Sequence, residues 1–403
     1  MSSAPSHTAR PQERPRVTLA EIVRTHSATL GAVSPQAARA LEAIADCRTA
    51  ALGGHRFACD SCGESVVTFN SCRNRHCPQC QALAQARWVD HRQADLLPVE
   101  YFHLVFTIAS ELHGLFLANQ SVAYGLLFSA AAESLTALAR DTRHIGADIG
   151  AMAVLHTWTQ TLLYHPHLHF IVPGGGPSPD RSRWIACRKG YLLPVRALSV
   201  LFRGKLLGAL DRALTDGRIV APPDLDARRA LRRAARKKWC VYSKPSFVGP
   251  EHVIRYLGRY THRIAITNGR LVAHDERGGV TFRYADRASG RTHTMTLSSH
   301  QFLRRFLLHV LPHGFMRIRY FGGLANSVRK RWLATCRDLL AAGGADLPLP
   351  PPPSKETWQE EMKRLTGIDV TRCPHCKTGR LVAVERFERE SRTRHPPARA
   401  APT

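Results

Sequence analysis

Negative charge is scarce in this sequence. Its 403 residues carry 31 aspartates and glutamates against 57 lysines and arginines, a formal net charge of +26 at pH 7. An excess of that size argues against an indifferent solvated surface and predicts attraction to a polyanion, nucleic acid first. Unbroken apolar runs are missing too: the stretch from Leu115 to Leu138 is interrupted by Asn119, Gln120, Ser121 and Glu133, which excludes a membrane span and a membrane partner. Met1-Ser2-Ser3-Ala4-Pro5 leads into proline and charge rather than an apolar h-region, so no signal peptide is expected and a reducing cytosol is. No GxxxxGK run followed by serine or threonine occurs, so no nucleotide cofactor is expected. No repeat architecture is visible.

What is present begins with length. The chain has room for two or three domains and for a core that needs no disulfide staples. Residues 1–17 are rich in Pro, Ser and Arg and read as a disordered arm. Helical spacing from Leu19 to Ala45 leads into a cysteine cluster through Cys80 and a helix from Ala82 to Leu97, which together predict a first domain over 18–97. The aromatic and β-branched run Tyr101–Ile108 reads as a strand, and Leu127, Ala131, Leu135 and Leu138 mark one stripe of a long helix. Ala151–Leu163 and Leu168–Val172 read as adjacent strands. Strand, helix and adjacent strands predict an α+β domain over 98–330. Within it, Ala197–Lys238 is helical and basic, Gly249-Pro250-Glu251 offers a helix start, and Ile264–Ile266 with Leu271–Ala273 reads as a hairpin across Asn268-Gly269. Val280–Tyr284 and His293–Leu297 extend that hairpin, and Ser298 with Gln301 resembles a capping box. Residues 331–403 read as a proline-rich linker and a basic tail containing Cys373-Pro374-His375-Cys376.

The 11 cysteines are an odd number crowded into closely spaced pairs, which favours metal ligation over disulfides. Cys59-x2-Cys62 and Cys77-x2-Cys80 lie 14 residues apart, the layout of a two-knuckle, four-cysteine structural zinc site. Such a site contributes about 10–16 kcal/mol of apparent binding energy to a small module. Cys47, His55, Cys72 and His76 stand nearby, either as a second zinc site or as substitutes for one of the four. Arg73 and Arg75, between the knuckles, suit phosphate contact. Cys373 and Cys376 are half a site.

His165-Pro166-His167-Leu168-His169 carries the chemistry. Histidines two apart on a strand share a face, so His167 and His169 can share one divalent metal. His165, Gln160 and His156 lie on or beside the same two-strand unit. Gln160 is preferred as third ligand, with His165 competing, because an oxygen added to two imidazoles suits Mg²⁺ or Mn²⁺. Tyr256 and Tyr260, four apart on an expected helix that Arg255 and Arg259 interleave, would project together. They suggest phenolic nucleophiles that attack a metal-polarised phosphate. The run Arg228–Lys238, including Arg232 and Arg236, is expected to track a DNA backbone, and Trp239, Tyr242 and Phe247 either stack on bases or belong to the core.

These motifs resemble, along nearly the whole chain, the two-tyrosine HUH transposases of bacterial insertion sequences, of the insertion sequence ninety-one (IS91) type. The resemblance rests on CDSCG from Cys59, SCRNRHCPQC ending at Cys80, YFHLVFT from Tyr101, HTWTQ from His156, HPHLHFIVPGGG from His165 and RYLGRYTHRIAITN from Arg255. It implies an N-terminal zinc-binding module for DNA recognition and an HUH endonuclease domain, an antiparallel sheet flanked by helices. It implies rolling-circle transposition by nicking and rejoining single-stranded DNA at element ends and target, with His167 and His169 as ligands and Tyr256 and Tyr260 as nucleophiles. One tyrosine would hold a 5′-phosphotyrosyl end, so that no ATP is needed. Gln160, seven residues before His167, matches the place of a third ligand in related replication initiators. A plasmid-type initiator or relaxase would share this chemistry, and a non-catalytic zinc-dependent DNA-binding regulator would share only the charge and the cysteines.

Overall fold

The computed structural model describes residues 17–246, 258, 264–275, 277–286, 289–345 and 356–389. The architecture is α+β with antiparallel sheets, as the pattern predicted. Two short helices open it. In α1 (Leu19–His26) Thr18 and Glu21 form a reciprocal capping box, and in α2 (Pro35–Asp46) Ser34 caps the start while Pro35 occupies the first turn. A hairpin of β1 (Gly54–Cys59) and β2 (Ser65–Phe69) follows, then α3 (Pro78–Gln93), again entered through a proline.

The centre of the molecule is built from β3 (Tyr101–Thr107), β4 (Gly150–Trp158), β5 (Tyr164–Pro173), β8 (Val241–Ser246) and β12 (Ile318–Gly322), together with a small side pair, β6 (Gly175–Pro177) and β7 (Trp184–Ala186). The five main strands lie side by side in the order β12-β4-β5-β3-β8. Every neighbouring pair is antiparallel, so the sheet can present two chemically different faces. One face is apolar. Ala151, Ala153 and Leu155 of β4, Leu168, Phe170 and Val172 of β5, and Phe102, Leu104 and Phe106 of β3 all enter one core. Against them pack α5 (Gln120–Arg140), through Tyr124, Leu127, Phe128, Ala131 and Leu135, and α6 (Val195–Thr215), through Phe202, Leu206 and Leu210. A short helix, α4 (His113–Ala118), leads into α5. Each fully buried phenylalanine contributes roughly 1.5–3 kcal/mol of apolar burial, which makes this side a rigid backing. Among the described residues α5 is the one helix long and apolar enough to cross a membrane, and it is a core helix.

The other face carries the imidazoles. Toward the β12 side it is closed by Met152, Val154 and Ile171, with Trp88 and Val89 of α3 packed over them. The basic stretch expected as one helical region is α6 followed by α7 (Ala227–Arg236), capped by Asp226.

A second core joins distant parts of the chain. Leu19, Ile22, Val23, Leu30, Leu41 and Ile44 pack with Ile266, Leu271, Val280, Phe282, Phe302 and Phe306. The later residues come from the sheet of β9 (Leu271–His274), β10 (Gly279–Ala285) and β11 (Thr292–Ser298), and from α8 (Ser299–Leu307), where Ser298 accepts the Gln301 amide, one half of the expected capping box. The hairpin expected across Asn268-Gly269 is corrected. Ile264, Ala265 and Ile266 are buried without a strand ladder, Asn268–Arg270 is a 3₁₀ turn, and the first strand of this sheet is β9. Three apolar residues cannot by themselves distinguish a strand from a buried irregular segment.

The chain closes with α9 (Arg329–Ala342), α10 (Trp358–Thr366) and β13 (Leu381–Phe387). The segment expected as a tail folds back: β13 pairs antiparallel with β1, giving the order β13-β1-β2.

Candidate functional site

On the polar face of the central sheet, His156 lies opposite His167 and Val154 opposite His169 in the β4–β5 register. The alternation that sends Leu168 into the core therefore sends both β5 imidazoles to the side occupied by His156. One ligating nitrogen from each of His156, His167 and His169 falls within 4.8 Å of the other two. All three residues are buried or nearly so, with ring centroids 4.5 Å apart for His156–His169 and 4.8 Å for His167–His169.

Two of the imidazoles hold hydrogen-bond partners through Nδ1. The Nδ1 of His167 lies 2.7 Å from the His165 carbonyl, which can only accept, so Nδ1 bears the proton and Nε2 is the nitrogen that would ligate. The Nδ1 of His169 lies 2.7 Å from Nε2 of His103 on β3. Burial, then the charge of Lys244, pushes the His103 imidazole down to about 4, so it is neutral near pH 7. With its Nδ1 engaged by His103, Nε2 is the His169 nitrogen that would ligate. Such partners orient a ligand and raise its basicity. An all-imidazole set suits Mn²⁺ and later transition ions better than Mg²⁺, which prefers oxygen.

Gln160, expected as the third ligand, lies in the turn between β4 and β5. That turn is clamped from the second core: the guanidinium of Arg270 donates to the Gln160 carbonyl, Arg305 to the Thr161 carbonyl at 3.0 Å, and His309 Nε2 to the Leu162 carbonyl at 3.0 Å. The third imidazole in the cluster is His156. Its participation depends on strand register, which sequence spacing does not reveal. Tyr256, Tyr260, Arg255, Arg259 and Phe247 lie outside the described residues. Gly258, between the two tyrosines in sequence, is helical and buried, and a Cβ there would collide with Val89 of α3, the helix over the imidazole face.

The cysteines form two sets, and Cys47 and Cys72, expected in a second site or as substitutes, join Cys77 and Cys80. Cys47, Cys72, Cys77 and Cys80 gather in one cluster, and Cys59, Cys62, Cys373 and Cys376 in another. The single site of Cys59, Cys62, Cys77 and Cys80 is therefore corrected. The Cys59–Cys62 knuckle is the turn of the β1–β2 hairpin, and β2 runs between it and Cys77 and Cys80. Cys80 Sγ lies 3.6 Å from the Sγ atoms of both Cys47 and Cys72. Tetrahedral Zn²⁺ with bonds of about 2.3 Å places its sulfurs about 3.8 Å apart, so the donor set fits zinc. His55 and His76 belong to neither cluster. His76 is buried, and that burial, followed by the charges of Arg317 and Arg75, pushes its imidazole down to about 3.

Of the expected DNA contacts, Arg73 is exposed, whereas Arg75 is half-buried and donates to the Phe315 carbonyl at 2.5 Å, tying the first cysteine cluster to the central domain. Arg232 and Arg236 are exposed on α7 together with Arg228, Arg229 and Arg233. Trp239 is core, with Nε1 donating to the Ala234 carbonyl, while Tyr242 is exposed on β8.

The family described as "Putative transposase" matches residues 150–331, spanning the imidazole strands, and the "Transposase zinc-binding domain" matches residues 19–108. "Putative transposase y4qJ" of Sinorhizobium fredii is 49% identical over 359 residues, covering 87% of this chain and 89% of the relative. The chain belongs to the IS91 family of transposases. The "Transposase for insertion sequence element IS801" of Pseudomonas savastanoi pv. phaseolicola is 29% identical over 341 residues, covering 82% and 79% of the two chains. No solved structure matches. The IS91-family transposase described here thus has an N-terminal zinc-binding module, acts on DNA and is a strand-cleaving and strand-transferring enzyme.

Proposed function

We propose that this transposase nicks and rejoins single-stranded DNA at insertion-sequence ends by rolling-circle transposition, through a 5′-phosphotyrosine made by Tyr256 or Tyr260. The observation that carries the reading is the convergence of His156, His167 and His169 on one sheet face, each offering a ring nitrogen within 4.8 Å of the others. The burial of Gly258 against α3 supports it, because α3 covers that same face. The three imidazoles would hold Mn²⁺ or Mg²⁺, which when bound withdraws charge from the scissile phosphate. A tyrosine hydroxyl then attacks phosphorus, the bond from phosphorus to the 3′-oxygen breaks, and the proton lost by the phenol is balanced by the one gained at the new 3′-hydroxyl. The phosphodiester energy stays in the protein–DNA bond, and the second tyrosine serves the next cleavage. Arg232, Arg236 and Arg73 supply backbone contacts along the strand.

The test is cleavage of end-labelled oligonucleotides carrying the element's terminus. Single strands should be nicked with Mn²⁺ and duplexes should not. His167→Ala with His169→Ala should abolish nicking while leaving DNA binding in place. Cleavage of duplex alone, or nicking undiminished in the histidine variant, would sink the reading.

A further inference from the structure

The second cysteine cluster draws half its ligands from each end of the chain, and the zinc-binding match, residues 19–108, does not reach Cys373 or Cys376. We infer that Cys59, Cys62, Cys373 and Cys376 bind a second structural zinc ion, which clasps the C-terminal segment 356–389 onto the N-terminal module.

The two knuckles have the same local build. In each, the residue after the second cysteine is left-handed, Gly63 at φ 74° and Lys377 at φ 60°. In each, that residue donates its amide to the carbonyl of the first cysteine, Gly63 to Cys59 and Lys377 to Cys373, both at 3.1 Å. Backbone amides also point at sulfur: Ser61 N lies 3.4 Å from Cys59 Sγ and Gly379 N 3.3 Å from Cys376 Sγ. Such contacts stabilise thiolate over thiol. Across the cluster Cys59 and Cys376 are 3.7 Å apart and Cys62 and Cys373 3.8 Å, the spacing of tetrahedral zinc ligands at about 3.8 Å and far beyond a disulfide bond of about 2.05 Å. A Cβ at Gly379 would strike Cys59 Sγ, so the backbone is drawn in to the sulfurs as closely as a glycine permits.

The surroundings lock the two segments in register. Asp60 N donates to the Arg380 carbonyl at 3.0 Å, and Arg380 N returns a bond to Asp60 Oδ1 at 2.8 Å. β13 then continues along β1 from Cys59↔Leu381 to Gly54↔Phe387. On the other side α10 reaches α3 through Arg87–Glu361 at 2.5 Å and Arg364–Asp90 at 2.6 Å. These ion pairs are partly exposed and weak on their own, and β13 offers its outer face to solvent. The metal is therefore the strongest link between the segment and the body.

Two measurements on the full chain test this. Metal analysis of the purified protein should find about one zinc fewer per chain in Cys373→Ser/Cys376→Ser than in the wild type. Separately, a protease site placed within 346–355 allows the linker to be cut with every cysteine intact, so the result stands even where the serine variant misfolds. The cut segment should co-elute with the body, and should be released by a zinc chelator or by Cys376→Ser alone. Equal zinc content in the two proteins, separation of the cut segment while zinc is retained, or co-elution that survives the chelator would each overturn the clasp.

Discussion

At the scale of single residues, the site depends on side chains outside the imidazole cluster. His103 fixes the orientation of His169, so His103→Ala should weaken Mn²⁺ binding by about 10–100-fold and lower nicking at limiting metal, with recovery when Mn²⁺ is raised. His167→Ala should not recover. A KM-like shift in metal dependence, read by titrating Mn²⁺ against cleavage rate, separates positioning from ligation. His309 gives a second test. It is fully buried between Thr157 and the Leu162 carbonyl, and burial pushes its imidazole down to about 4 from 6.5. The unfolded chain therefore binds a proton that the folded chain refuses between those values, and stability is lost as pH falls through that window. The melting temperature of His309→Gln should fall less steeply than the wild type's between pH 6.5 and 5. An unchanged slope would remove His309 from the acid response.

At the scale of elements, α7 presents Arg228, Arg229, Arg232, Arg233 and Arg236 to solvent while Ala227, Ala230, Leu231 and Ala234 face inward. If this face tracks single-stranded DNA, each phosphate contact removed should lower the log–log salt slope of binding by about 0.7, so Arg232→Ala/Arg236→Ala should flatten it by about 1.4. Affinity measured across salt concentrations reads this directly, and an unchanged slope would place the strand elsewhere. The strands bearing the imidazoles were legible in part: Tyr101–Ile108 and Leu168–Val172 are rich in β-branched and aromatic residues, but the turn lies at 159–163 rather than near Tyr164–Pro166, so β5 already begins at Tyr164. His156 was within reach in the sequence but could not be ranked above Gln160, because pairing it with His167 requires the β4–β5 register, with an irregularity between His156 and Trp158. The cysteine pairing was hidden for a similar reason. Two knuckles close in sequence suggest one ion, yet Cys62 finds Cys373 across 311 positions through the β1–β13 ladder. The available signal was arithmetic: eight of the 11 cysteines sort into two sets of four.

At the scale of the molecule, the N-terminal module and the catalytic region are not independent. Leu19, Ile22, Val23, Leu41 and Ile44 fill the same core as Val280, Phe282, Phe302 and Phe306, and from that core Arg270, Arg305 and His309 hold the turn beside the imidazoles. A fragment limited to residues 98–330 would expose those phenylalanines, at roughly 1.5–3 kcal/mol each in lost burial. It should be insoluble or lack a cooperative thermal transition, whereas a soluble, sharply melting fragment would show that the second core is dispensable. The proposed chemistry unites all three scales, since buried histidines, a two-faced sheet and a basic, zinc-bearing frame serve one bond exchange. Its most direct test is a denaturing gel of the full-length protein incubated with a labelled single-stranded element end and Mn²⁺. In the wild type the label should migrate with the protein, and in Tyr256→Phe/Tyr260→Phe it should not. Label retained by the double variant, or cleavage of the strand with no protein-linked product, would contradict the proposed chemistry.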